Sequence, residues 1–233
     1  NPANRVDQNV FQGRMLAVMS SLRKEAESSL PLLVQLAAAT KCRNDAAAQT
    51  EEITAETVVR SFLDHEVEGW REAGADTRHR NLAILATMLE GLSLSDPVRF
   101  SCPHLPEVLD DDTLHRIFSC SAGYDPVTGL PKIEPDLLGE ILVMGSLTGQ
   151  FRMGNGDAQP EAKAIVDFLT SEQADAHVKE RTRPFLLRAA DSFPHLFETS
   201  GLRDKLNPDA LLSYFALAVD DGSLNIQELP ETI

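Results

Sequence analysis

The sequence predicts a mainly α-helical protein, on three observations. Alanine and leucine are abundant, aromatic residues make up only 6% of the chain, and runs of β-branched residues are rare. That composition favours helix over sheet. Apolar residues recur at three- and four-residue spacing in one segment after another. Proline or aspartate stands where helices should begin, and glycine where they should stop.

Taken in order, Val10, Phe11, Met15, Val18, Met19 and Leu22 fall on one helical face. Leu30 to Ala39 reads as a second, strongly buried helix with Pro31 in its first turn, and Lys41 to Glu52 as a polar, alanine-rich connection. Thr54 can cap a third helix with the apolar stripe Val58, Val59, Phe62, Leu63, Val67 and Trp70, leaving Glu66, Glu68 and Glu72 mostly off that face. Gly74-Ala75-Asp76 breaks the pattern and is expected to be a boundary. Leu82, Leu85, Leu89 and Leu92 mark a fourth helix, after which Ser95 to Pro106, with three prolines, is expected to be irregular. In Asp110-Asp111-Asp112 an aspartate can cap a short helix carrying Leu114, Ile117 and Phe118.

The most informative stretch is Ile133 to Leu142, just after the turn-rich Tyr124 to Pro131. Pro135 suits a first helical position, where its missing N–H costs nothing. Asp136 places a negative charge in the first turn, where the helix dipole favours it. A turn followed by a sharply started, buried helix is what a winged-helix module with a small β wing requires. Thr148 to Gln159 is a glycine-rich connector. Pro160 then starts a segment with Ile165, Phe168 and Leu169 inward, and Leu186, Leu187, Ala190 and Phe193 mark another helix. Asn207-Pro208 starts a last one, with Leu211, Leu212, Phe215 and Val219 on one face and Asp221-Gly222 at its end. Successive helices here predict a repeat-like stack, although no sequence period is visible.

Acidic residues outnumber basic ones, 36 to 21, for a formal net charge of -15. Such a surface repels phosphate backbones and anionic lipid, so nucleic-acid and membrane partners are disfavoured. Arg71, Arg78, His79 and Arg80 form the densest basic cluster and are expected to be a solvated turn. The three cysteines, Cys42, Cys102 and Cys120, are scattered and odd in number, which fits a reducing, cytoplasmic setting better than a disulfide framework. The longest apolar stretch, around Leu30 to Ala39, is too short and alanine-rich to span a bilayer. The sequence opens Asn1-Pro2, with no initiator methionine and no visible signal peptide, so a piece of something longer is expected.

Catalytic signatures are missing. There is no GxxxxGK[ST] phosphate loop, and HExxH, GxSxG and GxGxxG are absent. Cys102, His104, His115 and Cys120 are the best metal candidates, since two thiolates and two imidazoles could satisfy tetrahedral zinc. Their spacing is no standard knuckle, and the expectation is no metal. Asp220 to Asn225 lacks the Asp-x-Asp-x-Asp-Gly order of a calcium loop.

In this order the segments resemble a known class. Ser29 to Ala39 is similar to the Pro-Leu-Leu helix in the lid of bacterial STAND-class signal-transduction ATPases, relatives of the NACHT and apoptotic ATPases. Phe62 to Trp70 resembles the helix that follows. Ile133 to Glu140 resembles the Pro-Asp-Leu-Leu-Gly-Glu helix that closes the family's winged-helix domain, and Phe185 to Pro194 the first helices of its superhelical region. The resemblance implies an ATPase core preceding Asn1, with ATP or ADP and magnesium as cofactors of the full-length protein and none in this chain. In related eukaryotic switches a histidine directly before the matching aspartate touches bound ADP. That position is Pro135 here, with no side-chain donor, so nucleotide sensing would use backbone or Asp136.

The expectation is therefore a helical lid over residues 1–75, a winged-helix domain over 76–148 and a helical repeat-like region over 149–233. Together they would form a non-catalytic regulatory and oligomerisation segment. Its implied partners are the ATPase core, other proteins through the helical region, and further copies in a nucleotide-dependent oligomer. The alternatives are a winged-helix DNA-binding regulator and a helical enzyme dependent on a metal or a cysteine.

Overall fold

A computed structural model describes residues 55–205 apart from 121–122, 135, 151–158 and 173. The two N-terminal helices, the cap at Thr54, Cys42, Pro135, residues 151–158 of the glycine-rich connector and the helix expected after Asn207 lie outside the described residues. Those described are mainly helical: α1 (Ala55–Glu72), α2 (Thr77–Met88), α3 (Pro97–Ser101), α4 (Asp111–Ile117), α5 (Asp136–Leu147), α6 (Gln159–Thr170), α7 (Ala176–Ser192) and α8 (Pro194–Thr199). Single 3-10 turns cover Phe118–Cys120 and Arg203–Lys205.

Two helices make the centre. Every residue of α5 from Leu138 to Leu147 is buried, and so is α2 from Arg80 to Met88. A helix buried on all sides must be covered by several partners. Accordingly α5 packs against α1, α2, α6, α7 and α8, while α2 also meets α4, α6 and α7. From α1 the stripe residues Val59, Leu63, Val67 and Trp70 enter this core, as their helical spacing requires. Across the break at Gly74, α1 packs on α4 and α5 of the later chain. Ala162, Ile165, Val166 and Leu169 of α6 and Phe185, Leu186 and Ala189 of α7 complete the same apolar cluster.

Helix starts follow their capping residues. Asp76 accepts from the N–H groups of Arg78 and His79, and His79 answers the Asp76 N–H to close a capping box. Asp96 caps α3, a five-residue helix within the stretch expected to be irregular, because Pro97 behind it is preset for a first turn. Asp110 accepts from both the N–H (2.8 Å) and the hydroxyl (2.6 Å) of Thr113. These bonds hold its carboxyl below the usual carboxylate range. Asp110→Ala should lower the thermal midpoint by a few degrees, and Asp110→Asn by much less, since asparagine caps nearly as well. Circular-dichroism melts of the two variants check this.

Two local expectations need correction. The fourth helix stops at Met88, so Leu89 and Leu92 lie beyond it. The chain turns there through a Schellman cap: Gly91 N–H reaches Ala86 O at 2.8 Å and Glu90 N–H reaches Thr87 O at 3.2 Å. Leu92 then pairs with Leu130 across an antiparallel bridge. The basic cluster is not one solvated turn either. Arg80 is fully buried, Arg71 pairs with Glu68 along α1, and His79 is spent on Asp76.

The turn-rich segment closes on itself through an Asp125–Gly129 bridge. Gly129 has φ +102, and a Cβ there would run into the Leu92 carbonyl and lie 2.8 Å from Ser93 Cα. Only glycine fits that crossing. Among the described residues backbone pairing goes no further than these two isolated bridges.

Candidate functional site

Among the described residues the start of α5 is the most densely charged junction. Asp136 stands in the first helical turn. Lys132, four residues earlier, places its Nζ 2.6 Å from Asp136 Oδ1 and 2.9 Å from Glu90 Oε2. Arg188 arrives from α7. Its guanidinium pairs with Glu90, lies 3.3 Å from Asp136 Oδ2 and 3.7 Å from Glu140 Oε1. Two cations and three carboxylates thus join the end of α2, the first turns of α5 and the C-terminal part of α7.

The charges respond to that company. Burial works to lower the Lys132 pKa, but Asp136 and Glu90 keep it raised. Burial likewise opposes the Arg188 charge, and Glu90, Asp136 and Glu140 outweigh it. Glu140 is the exception. It is 1% exposed, and neither oxygen meets a donor in hydrogen-bond geometry. Burial pushes its carboxyl up to about 7, against the pull of Arg188 towards the charged form; Asp136 and Asp191 add to the rise.

Nearly two turns earlier in α7, Arg181 grips the loop that ends α2. Its Nη2 donates to Gly91 O at 2.6 Å, Nε to Leu89 O at 3.3 Å and Nη1 to Asp96 Oδ2 at 2.5 Å. Burial works against the Asp96 charge, yet Arg181 and the Val98 N–H hold its pKa below the usual value.

A second polar group is buried between α2 and α6. Arg80 donates to Asn81 Oδ1 at 3.0 Å, and Asn81 donates to Glu161 Oε2 at 2.9 Å and to His104 O at 3.0 Å. Burial lowers the Arg80 pKa to about 10, with Glu161 opposing. The group ties α6 to α2 and to the loop after α3.

The zinc candidates are placed as follows. Cys102 is buried and its thiol is directed at Pro103 O, 3.8 Å away. His104 is exposed with a left-handed backbone, φ 60. His115 is exposed on α4, contacts Asp111 O at 2.9 Å and meets the Tyr124 ring edge-on at 5.2 Å. The Cys120 backbone ends the 3-10 turn after α4. Among the described residues no group of three or more histidine, cysteine or acidic side chains is arranged to hold a metal ion. Burial pushes the Cys102 thiol up to about 12, which leaves almost no thiolate at neutral pH and makes it a poor nucleophile.

Asp136 is the one sequence-derived site residue that the fold brings into a charged cluster. Glu90, Lys132, Glu140, Arg181 and Arg188 were not singled out from the sequence. Glu140 had a readable signal, a carboxylate inside the apolar run Leu137 to Leu147. Glu90 had a weaker one, a charged residue directly before the glycine that ends a helix. Arg181 and Arg188 had none, because their partners lie 48 to 98 residues away. No helix among the described residues is long and apolar enough to cross a membrane. No protein-family model, curated protein or solved structure matches the chain.

Proposed function

We propose that this chain is the regulatory, non-catalytic segment of a multidomain signal-transduction ATPase of the STAND class, in which the start of α5 couples nucleotide state to the helices that follow. The reading rests on the resemblance of Ile133 to Glu140 to the family's winged-helix closing helix. The observation that carries it is the ion-pair junction at Asp136. A switch needs two packings of comparable stability. Charged pairs at a joint supply that better than apolar contacts do, because ions released from one another regain water. In this reading residues 1–75 form a lid, 76–148 a winged-helix module and 149–233 the start of a partner-binding helical region. The ATPase core, magnesium and ADP or ATP belong to the full-length, cytoplasmic protein, which would oligomerise on nucleotide exchange.

A DNA-reading role finds little support in α4. Its exposed His115 and Arg116 sit one turn from Asp111 and Asp112, and the net charge of -15 opposes a duplex. The test compares the chain with its full-length parent by nucleotide titration and phosphate release. The parent should bind ADP tightly and hydrolyse ATP, and the isolated chain should do neither. Hydrolysis by the isolated chain, or a parent that binds no nucleotide, would overturn the proposal.

A further inference from the structure

Two arginines of α7 hold, between them, three consecutive residues of the chain, Leu89 to Gly91. Arg181 and Arg188 are seven positions apart, nearly two full helical turns, and so lie on one face. Arg181 takes the carbonyls of Leu89 and Gly91. Arg188 takes the Glu90 carboxylate. The α2 C-terminus, with its partial negative charge and the two cap carbonyls that Arg181 pairs, is therefore clasped by two cations from a distant helix.

Glu90 is an unusual residue for its place. It occupies the left-handed position of the Schellman cap, with φ 57, where glycine is the low-cost choice. A cap alone would not call for glutamate. What glutamate adds is a carboxylate that meets Arg188 from α7 and Lys132 from the entry to α5 at once. The backbone is thus held in a costly conformation by two ion pairs, and loss of either weakens the reason for that conformation. Pro184 lies inside α7 between the two arginines and withholds one intrahelical hydrogen bond there. The helix is weakest along its own axis where the clasp braces it.

We infer that the Leu89–Gly91 cap and the Arg181–Arg188 face of α7 form a releasable latch, closed here, that fastens α7 to the α2–α5 pair. Opening it moves α7 as a unit and frees Asp136 from Arg188. The latch exists whether or not the chain serves an ATPase; its use as the step that passes a nucleotide signal to the later helices rests on the function proposed above.

Glu90→Gly is the discriminating variant, because it improves the cap and removes both ion pairs. Amide hydrogen exchange of the whole chain is the readout, with urea unfolding in parallel. A latch predicts that exchange over 176–192 speeds by about tenfold or more while 77–88 and 136–147 keep their protection. Glu90→Gln, which keeps the side-chain size and the strained backbone, should loosen α7 in the same way. Should Glu90→Gly fail to fold, Glu90→Gln and Arg188→Lys carry the same comparison. Unchanged exchange over 176–192 would overturn the latch, and so would a uniform rise over all three helices. Neither result bears on nucleotide binding by the full-length parent, which tests the functional reading separately.

Discussion

Glu140→Gln is expected to remove a pH dependence of stability that the parent chain carries across the neutral range. The carboxyl is 1% exposed, and its pKa is raised from the usual 4.5 to about 7, first by burial. The folded chain therefore binds this proton more tightly than the unfolded chain does. Stability falls as the pH rises from about 4.5 to about 7 and stays reduced above that. A shift of this size corresponds to about 3 kcal/mol at 1.36 kcal/mol per pH unit. Glutamine has the same shape and no charge to bury, so the variant should lack the slope and overtake the parent above pH 7. Its amide needs partners too, so its gain at pH 8 should be below the full 3 kcal/mol. Asp76, Asp96 and Asp110 act in another window: their pKa values are lowered from 3.8, so their contribution is present above that value and fades only as the pH falls below it. Urea unfolding at pH 5, 6, 7 and 8 decides the matter, and parallel curves for the two proteins would show that Glu140 is not buried as described.

Gly139→Ala is expected to destabilise the fold by about 2 kcal/mol, although alanine is the better helix former. A Cβ at residue 139 would lie 2.6 Å from Thr87 Cγ2 and 3.0 Å from the Ile133 carbonyl. Neither neighbour can yield. Thr87 belongs to α2, and its Oγ1 accepts the buried Ile133 N–H at 3.2 Å. The close approach of α2 and α5 therefore depends on the missing side chain. Gly69, exposed in the last turn of α1 with nothing within 4 Å of its Cβ position, is the control. There the same substitution should stabilise by about 0.5 kcal/mol, through backbone entropy alone. Opposite signs for one substitution at two helical glycines would be read directly from urea midpoints. A stabilising Gly139→Ala would mean that the two central helices do not meet as described.

Much of the helical order was legible because local signals carried it. The stripe Val59, Leu63, Val67 and Trp70 announced which face of α1 is buried. Asp110 marked a start that the fold uses, whereas the start at Asp96-Pro97 lay in a stretch read as irregular. The site was less legible. Asp136 could be chosen from helix-start chemistry, but its partners could not, since Arg188 comes from another helix and Lys132 looks like any lysine before a helix. The length of α2 was misread because a regular leucine spacing continues past Met88, while the chain does not. Glu90 and Gly91 take positive φ, and Leu92 is buried by its bridge to Leu130 rather than by a helical face. Arg80 was misread for a related reason: neighbouring basic residues look like a surface patch until Glu161 of α6 is brought alongside.

By itself, then, the sequence determined that this is a mainly helical, strongly acidic chain, and where several of its helices begin. Those properties depend on neighbours within a turn or two, on charge sums and on the backbone preferences of proline, aspartate and glycine. Only the tertiary structure decided that α2 and α5 lie at the centre, that Gly139 is their point of contact, and that Glu90, Lys132, Asp136, Glu140 and Arg188 share one junction. Each of those facts depends on groups far apart in the chain. Burial is set by what covers a residue and a pKa by what stands beside it, and neither is encoded in the residues adjacent in sequence.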